Sequence, residues 1–211
     1  DISDLIVVSG SVDPTTIGAY YLQYNVTDSQ GNDALTSIRT INVIDDISPT
    51  ISLFGPSSVI IEVGSTFSDS GASAIDNYDG SIPLSSFSIN SNLDTSTVGS
   101  YSITYDVSDS SGNPAIQVTR NVEVQDTQKP VITLAGNSST TIESGLTYTD
   151  PGATVSDNYD SGLAYNVDLS VIDTSTLGTY TLTYSATDSS GNQADPVYRT
   201  VEVVDTTVPI I

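Results

Sequence analysis

A block of about 80 residues recurs through this chain with its most distinctive positions in register. Repetition at domain length constrains the fold more than any local propensity. Asp13-Pro-Thr-Thr-Ile-Gly-Ala-Tyr20 returns as Asp94-Thr-Ser-Thr-Val-Gly-Ser-Tyr101 and as Asp173-Thr-Ser-Thr-Leu-Gly-Thr-Tyr180, at offsets of 81 and then 79 positions. Asp28-Ser-Gln-Gly-Asn32, Asp109-Ser-Ser-Gly-Asn113 and Asp188-Ser-Ser-Gly-Asn192 keep those offsets, as do Arg39, Arg120 and Arg199. Chemistry needs one well-built site, whereas a duplicated module supplies reach, valency or a lattice.

The pattern inside each copy is that of strands. Tyr180, Leu182, Tyr184 and Ala186 alternate with Thr181, Thr183, Ser185 and Thr187. Tyr101, Ile103, Tyr105 and Val107 do the same, and Tyr20, Leu22, Tyr24 and Val26 fill the inner positions of the first copy. Period two marks a strand with one buried and one wet face. After the Asp-x-x-Gly-Asn turn a second strand follows, at 39–43, 118–124 and 198–203, so the two form a hairpin. Earlier strands are expected at 50–53 and 131–134, at 59–63 and 140–143, at 67–72 and 148–153, and more weakly near 87–90 and 163–167. No window has helical spacing with caps. About seven short strands per copy, with turn signals every 8 to 12 residues, predict an all-β chain of tandem Ig-like antiparallel Greek-key β-sandwiches.

Boundaries fall at three short linkers ending in proline: Asp45-Asp-Ile-Ser-Pro49, Asp126-Thr-Gln-Lys-Pro130 and Asp205-Thr-Thr-Val-Pro209. They divide the chain into a partial repeat (1–46), two complete repeats (47–126 and 127–205) and the start of a further repeat (206–211). Stiff joints and strands of six to nine residues at about 3.3 Å each give modules roughly 30 to 40 Å long, hence an expected rod.

Composition narrows the function. Twenty-six acidic side chains stand against four basic ones, a formal charge of −22. Such a surface repels nucleic acid and anionic lipid and attracts divalent cations. Cys, Met, His and Trp are absent, which removes disulfides, Cys- or His-based zinc sites and every mechanism needing a His base or Cys nucleophile. A glycosidase carboxylate pair would need one cleft with two differently tuned acids, whereas these acids recur in the turns of every copy. The chain is therefore expected not to be an enzyme. Lys129 is the only lysine, so an isopeptide brace cannot recur in each copy, and bound metal remains as the stabilising device.

No apolar run approaches the roughly 20 residues that span a bilayer. With no initiator Met or signal peptide, the chain is expected to be an excerpt of a mature, extracellular region. Asn25-Val-Thr27 and Asn137-Ser-Ser139 are glycosylation sequons, with meaning only in a host that glycosylates.

Pro130-Val-Ile-Thr-Leu134, Thr147-Tyr-Thr-Asp-Pro-Gly-Ala153, Asp157-Asn-Tyr-Asp160, Asp173-Thr-Ser-Thr-Leu-Gly-Thr-Tyr180 and Ala186-Thr-Asp-Ser-Ser-Gly-Asn192 occur in that order. Together they resemble the bacterial immunoglobulin-like surface repeats related to hyalin repeats. The resemblance covers the whole chain and implies an Ig-like sandwich used as an adhesin stalk or adhesion module, without catalysis. Two departures stand out: Ser70 where the third copy has Pro151, and Ser161 inserted before Gly162.

Gly99-Ser-Tyr101 and Gly178-Thr-Tyr180 have the spacing of a tyrosine corner, so each phenol should bond backbone upstream. Arg39, Arg120 and Arg199 share parity with their core neighbours, which places each guanidinium at the core rim beside a carboxylate or a Tyr ring.

Asp76-Asn-Tyr-Asp79 and Asp157-Asn-Tyr-Asp160 cluster the hard oxygen donors that Ca²⁺ takes in six- to eight-fold coordination. They are equally the composition of an Asx turn. In an Ig-like sandwich the B–C loop, the F–G loop and the incoming linker share one end of the module. That topology predicts two Ca²⁺ sites at the joints, one of Asp45, Asp46, Asp76, Asn77, Asp79 and Asp109, the other of Asp126, Asp157, Asn158, Asp160 and Asp188. The leading expectation is a calcium-stiffened segment of a surface stalk or filament, whose partners are neighbouring repeats of the same protein. The alternative is a glycan- or protein-binding module using the loop end, with Tyr78 and Tyr159 as its aromatic contacts. The first copy lacks counterparts of its early strands, so its inner face should need covering. Preceding residues of the parent protein are the first expected cover; the second is strand addition from a neighbouring subunit, beginning with Val208-Pro-Ile-Ile211, which would make a homopolymer.

Overall fold

The computed structural model describes residues 3–209. Ile210 and Ile211, half of the expected donor segment, lie outside the described residues, as do the first two positions of the partial repeat. The described residues form sixteen strands: β1 (Val7–Ser9), β2 (Gly18–Asn25), β3 (Ser37–Val43), β4 (Thr50–Leu53), β5 (Ser58–Glu62), β6 (Ala72–Asp76), β7 (Gly80–Ile82), β8 (Ser88–Ser91), β9 (Gly99–Asp106), β10 (Val118–Gln125), β11 (Val131–Leu134), β12 (Ser139–Glu143), β13 (Ala153–Ser156), β14 (Asn166–Val167), β15 (Gly178–Ser185) and β16 (Val197–Val204). Among the described residues no helix is long and apolar enough to cross a membrane. Two compact units divide the described chain, one of residues 3–55, 70–90 and 104–119, the other of 56–69, 91–103 and 120–209.

Residues 127–205 lie wholly in the second unit and show the plan. Antiparallel β11–β13 forms one sheet, and β12, β16, β15 and β14 in that order form the other. The β15–β16 hairpin sets Tyr180 opposite Val201 and Leu182 opposite Arg199. Ile132 from the first sheet and Leu182 and Tyr184 from the second meet in one core with Ala186 and Ala194, flanked by Val155, Tyr165 and Val197. The alternation read from the sequence thus becomes an inner face, while Thr181, Thr183 and Ser185 are exposed.

Two features depart from the sequence expectation. β12 runs parallel to β16, and β5 parallel to β10, so one strand of each large sheet breaks the antiparallel rule. The strands expected at 67–72 and 148–153 begin only at Ala72 and Ala153. Gly71 and Gly152 hold φ of +79° and +86°, a conformation that ends an extended run. Pro151 also lacks the N–H a ladder needs. A Cβ on Gly152 would sit 2.7 Å from the Tyr165 hydroxyl, so any side chain there would also have to displace the end of that ring.

The residues ahead of those glycines carry the partners of the arginines. Arg120 meets Asp69 at 2.9 Å and Arg199 meets Asp150 at 2.6 Å. Both guanidiniums are 1% exposed, so they lie inside the core and not at its rim. The first copy reproduces the hairpin register, with Leu22 opposite Arg39, and adds β1 antiparallel to β2. Its inner Tyr20, Leu22 and Tyr24 are only half-buried, however, and Arg39 is exposed.

The tyrosine corners form in all three copies. Tyr20, Tyr101 and Tyr180 donate to the carbonyls of Thr16, Thr97 and Thr176 at 2.8, 2.9 and 2.9 Å. The Asp that opens each preceding motif caps its own turn: Asp173, for example, accepts from the Ser175 amide and from the hydroxyls of Ser175 and Thr176.

Candidate metal centres

Three aspartates from three separate segments meet in each of two places. Asp45, Asp76 and Asp109 lie in the first unit and Asp126, Asp157 and Asp188 in the second. In each set one carboxylate oxygen per residue lies within 4.8 Å of the others.

Local hydrogen bonding explains how each carboxylate is aimed. Asp76 Oδ1 accepts from the Tyr78 and Asp79 amides at 2.8 and 2.9 Å, the Asx turn expected from composition. Its Oδ2 is buried without a partner among the described residues. Asp157 repeats the turn with the Tyr159 and Asp160 amides on Oδ2, leaving Oδ1 buried and unpartnered. The linker aspartates do likewise: Asp45 accepts from Ile47 and Asp126 from Gln128, both at 3.2 Å on Oδ1, and Oδ2 of each is buried without a partner. The Asx turn and the ligand reading are therefore compatible, one oxygen serving the backbone and the other left over.

Asp109 and Asp188 close the sets from the hairpin turns. Asn113 donates its backbone N–H and its side-chain amide to the two oxygens of Asp109, each at 2.7 Å. Asn192 does the same for Asp188, at 2.7 and 2.8 Å. Asp76, Asp109, Asp126 and Asp188 are all buried. Burial pushes the Asp188 and Asp109 carboxyls up, and the bonds from Asn192 and Asn113 outweigh it, so both end below the usual carboxylate range. Asp126 has too few such donors. Burial, with the charges of Asp157 and Asp188, raises it above its ordinary value.

A buried oxygen with no donor is costly, and like charges this close oppose one another. All-oxygen donors with spare lone pairs suit a hard divalent cation, Ca²⁺ in particular. On the chemistry of its donors, the arrangement fits the ion.

The other residues expected at these sites have different surroundings. Asp79 accepts from the Ser110 amide and hydroxyl, both at 2.6 Å, and Asp160 from those of Ser189 at 2.8 Å. Each pair clasps the loop after β6 or β13 to the following hairpin turn. Asn158 donates to Glu62 at 3.5 Å, while Asp46 and Asn77 are exposed. Glu62 itself was missed in the sequence. It accepts from the amide and hydroxyl of Thr127, and Glu143 accepts from those of Thr206. The recurrence of Glu62 as Glu143, and of Thr127 as Thr206 directly after the linker Asp, was the available signal. Tyr78 and Tyr159 are partly exposed.

Hyalin from Strongylocentrotus purpuratus is 33% identical over 94% of this chain, and hyalin from Lytechinus variegatus 32% over 92%. The chain spans only 17% and 38% of those two proteins. Among solved structures, the fibronectin(III)-like modules of Clostridium thermocellum CbhA align over 76% of this chain and 97% of theirs, with a TM-score of 0.33 and 18% identity. The family profile "Bacterial surface protein, Ig-like domain" matches residues 1–43, 51–124 and 132–203. With three matches in tandem across most of its length, the chain belongs to the Ig-like domain family of bacterial surface proteins.

Proposed function

We propose that this chain is a non-enzymatic structural segment of a long extracellular surface protein, a stalk or filament, whose joints are stiffened by Ca²⁺. In this reading the repeats are 47–126 and 127–205, with parts of others at 1–46 and 206–211. The observation that carries it is the pair of aspartate sets with buried, unpartnered oxygens. Asp126 belongs to the linker, while Asp157 and Asp188 belong to loops of the following repeat. A cation held by all three fixes the linker against that repeat, and Asp45, Asp76 and Asp109 act alike one repeat earlier. The bound ion supplies the positive charge that these carboxylates lack. The family supports the surface setting and a structural or adhesive role.

Calcium titration of the full chain by calorimetry tests this. Two ions should bind, and Asp157→Ala should abolish one of them. No binding at millimolar Ca²⁺ would end the reading.

One observation favours adhesion through the loop end as a second reading. A groove of about 430 Å³ is lined by Val98, Gln125, Asp126, Tyr159, Ser189 and Ser190, an aromatic face among polar groups such as a glycan would use. Glycan-array binding lost in Tyr159→Ala would support it. The half-buried inner face of β2 and β3 also suits cover by strands of a like repeat, including strand addition into a homopolymer. Mass in solution, before and after deletion of 206–211, tests that route.

A further inference from the structure

We infer that Asn113 and Asn192 are positioning residues that couple each aspartate set to the linker in front of it; the inference rests on the calcium reading above. The Asn192 side-chain nitrogen donates to Asp188 Oδ2 at 2.8 Å and also to the backbone carbonyl of Asp126 at 3.1 Å. Its backbone N–H holds the other Asp188 oxygen at 2.7 Å. One residue thus fixes both oxygens of one ligand and the main chain of a second ligand 66 positions away. Asn113 repeats all three bonds, to Asp109 at 2.7 and 2.7 Å and to the Asp45 carbonyl at 3.1 Å.

The first copy supplies an internal control. Asn32 makes the two local bonds to Asp28, at 2.8 and 2.9 Å, although residues 1–46 include no counterpart of Asp126 or Asp157 for Asp28 to join. The Asp–Asn pair is therefore a property of the turn, and the bond to the linker carbonyl is what the joints add. The residue type follows from the geometry. A primary amide carries two N–H groups on one nitrogen, so it can serve a carboxylate and a carbonyl at once. It does so without bringing charge to a place where the ion's charge is needed. Carboxylate ligands held by such outer bonds bind metal more tightly, and losing an outer partner commonly costs 10- to 100-fold in affinity.

The test is calcium calorimetry on the full chain as wild type, N192A, N113A, N192S and N32A, with melting of each in chelator. N192A should weaken one of two sites by about 10- to 100-fold and leave the other at wild-type affinity. N113A should weaken only the other, and N32A neither. N192S, which keeps the backbone bond and removes the amide, should follow N192A, so the inference stays open to refutation even if N192A folds poorly. A merely structural role for Asn192 predicts the opposite split, with melting lowered equally in calcium and chelator and both affinities unchanged; that result overturns the inference. Equal weakening by N32A would overturn it too. Absence of calcium uptake by wild type would overturn the calcium reading and this inference together, whereas normal uptake with unaffected N192A and N192S would overturn this inference alone.

Discussion

Arg199 donates to the Asp150 carboxylate at 2.6 Å across the inside of the third copy, with the two side chains 1% and 6% exposed. The same carboxylate accepts from the hydroxyls of Tyr184 at 2.6 Å and Tyr148 at 3.2 Å. The guanidinium also donates to the carbonyls of Ala135 and Gly152 and lies 5.6 Å from the centre of the Tyr184 ring. Burial and the bond to Asp150 raise the Tyr184 phenol well above its ordinary value. A residue in the middle of one motif is thereby tied to a strand 49 positions on.

Removing one member of a buried pair leaves the other charge uncompensated, at a cost of about 3–5 kcal/mol. Asp150→Ala should lose that much in urea unfolding. An unchanged midpoint would mean that the core tolerates a bare guanidinium, contrary to the burial seen here.

Tyr180→Phe keeps its half-buried ring and loses only the corner bond to Thr176, which should cost about 1 kcal/mol. Tyr184→Ala empties a fully buried site and should cost about 3–5 kcal/mol, as aromatic-to-Ala changes do. Denaturant midpoints in that order check the assignment of Tyr180 to a corner and Tyr184 to the core; the reverse order would refute it.

Trypsin has little to work on. Of the four basic residues, Arg120 and Arg199 are buried, and Lys129 precedes Pro130, whose ring and missing N–H obstruct cleavage. Arg39 is exposed. Limited digestion of the native chain should therefore cut only after Arg39, read by mass spectrometry. Early cleavage after Arg199 would show the third core to be open.

Much of this was legible in the sequence. Period-two runs such as Tyr180–Ala186 declared the inner face, and the Asp-x-x-Gly-Asn repeats declared the hairpins. The parallel pairing of β12 with β16 was not legible, because it joins Ser139 to Thr200 and no local pattern encodes that register. Asp150 was read as part of a strand, since nothing local distinguishes a carboxylate on a ladder from one aimed at a distant arginine. Composition groups Asp79 and Asp160 with the other acids of their loops, and it could not show that their carboxylates also hold the hairpin turns through Ser110 and Ser189.

The metal-free chain should show a two-sided pH response. Asp188 and Asp109 lie below their ordinary value of 3.8 when folded, so their contribution is present above that pH and is lost as pH falls through the folded values. Asp126 is raised, so its share is present at low pH and lost as pH rises through its folded value. In chelator, melting temperature should climb as pH is lowered from neutral through the raised Asp126 value and drop again below about 3.8. Asp126→Asn should remove the climb and keep the drop; a climb of unchanged size in that variant would place the raised group elsewhere.

Calcium at the joints is tested most directly by melting the wild-type chain and Asp126→Asn at neutral pH, each with millimolar Ca²⁺ and with chelator. An ion binding only the folded state adds about 2.7 kcal/mol at a hundredfold excess over Kd, so wild type should melt higher with calcium. Asp126→Asn should melt above wild type in chelator, where a buried unpartnered charge is gone, and below it in calcium, where a ligand is gone. Equal wild-type melting temperatures with and without calcium, and no reversal in the variant, would contradict the account.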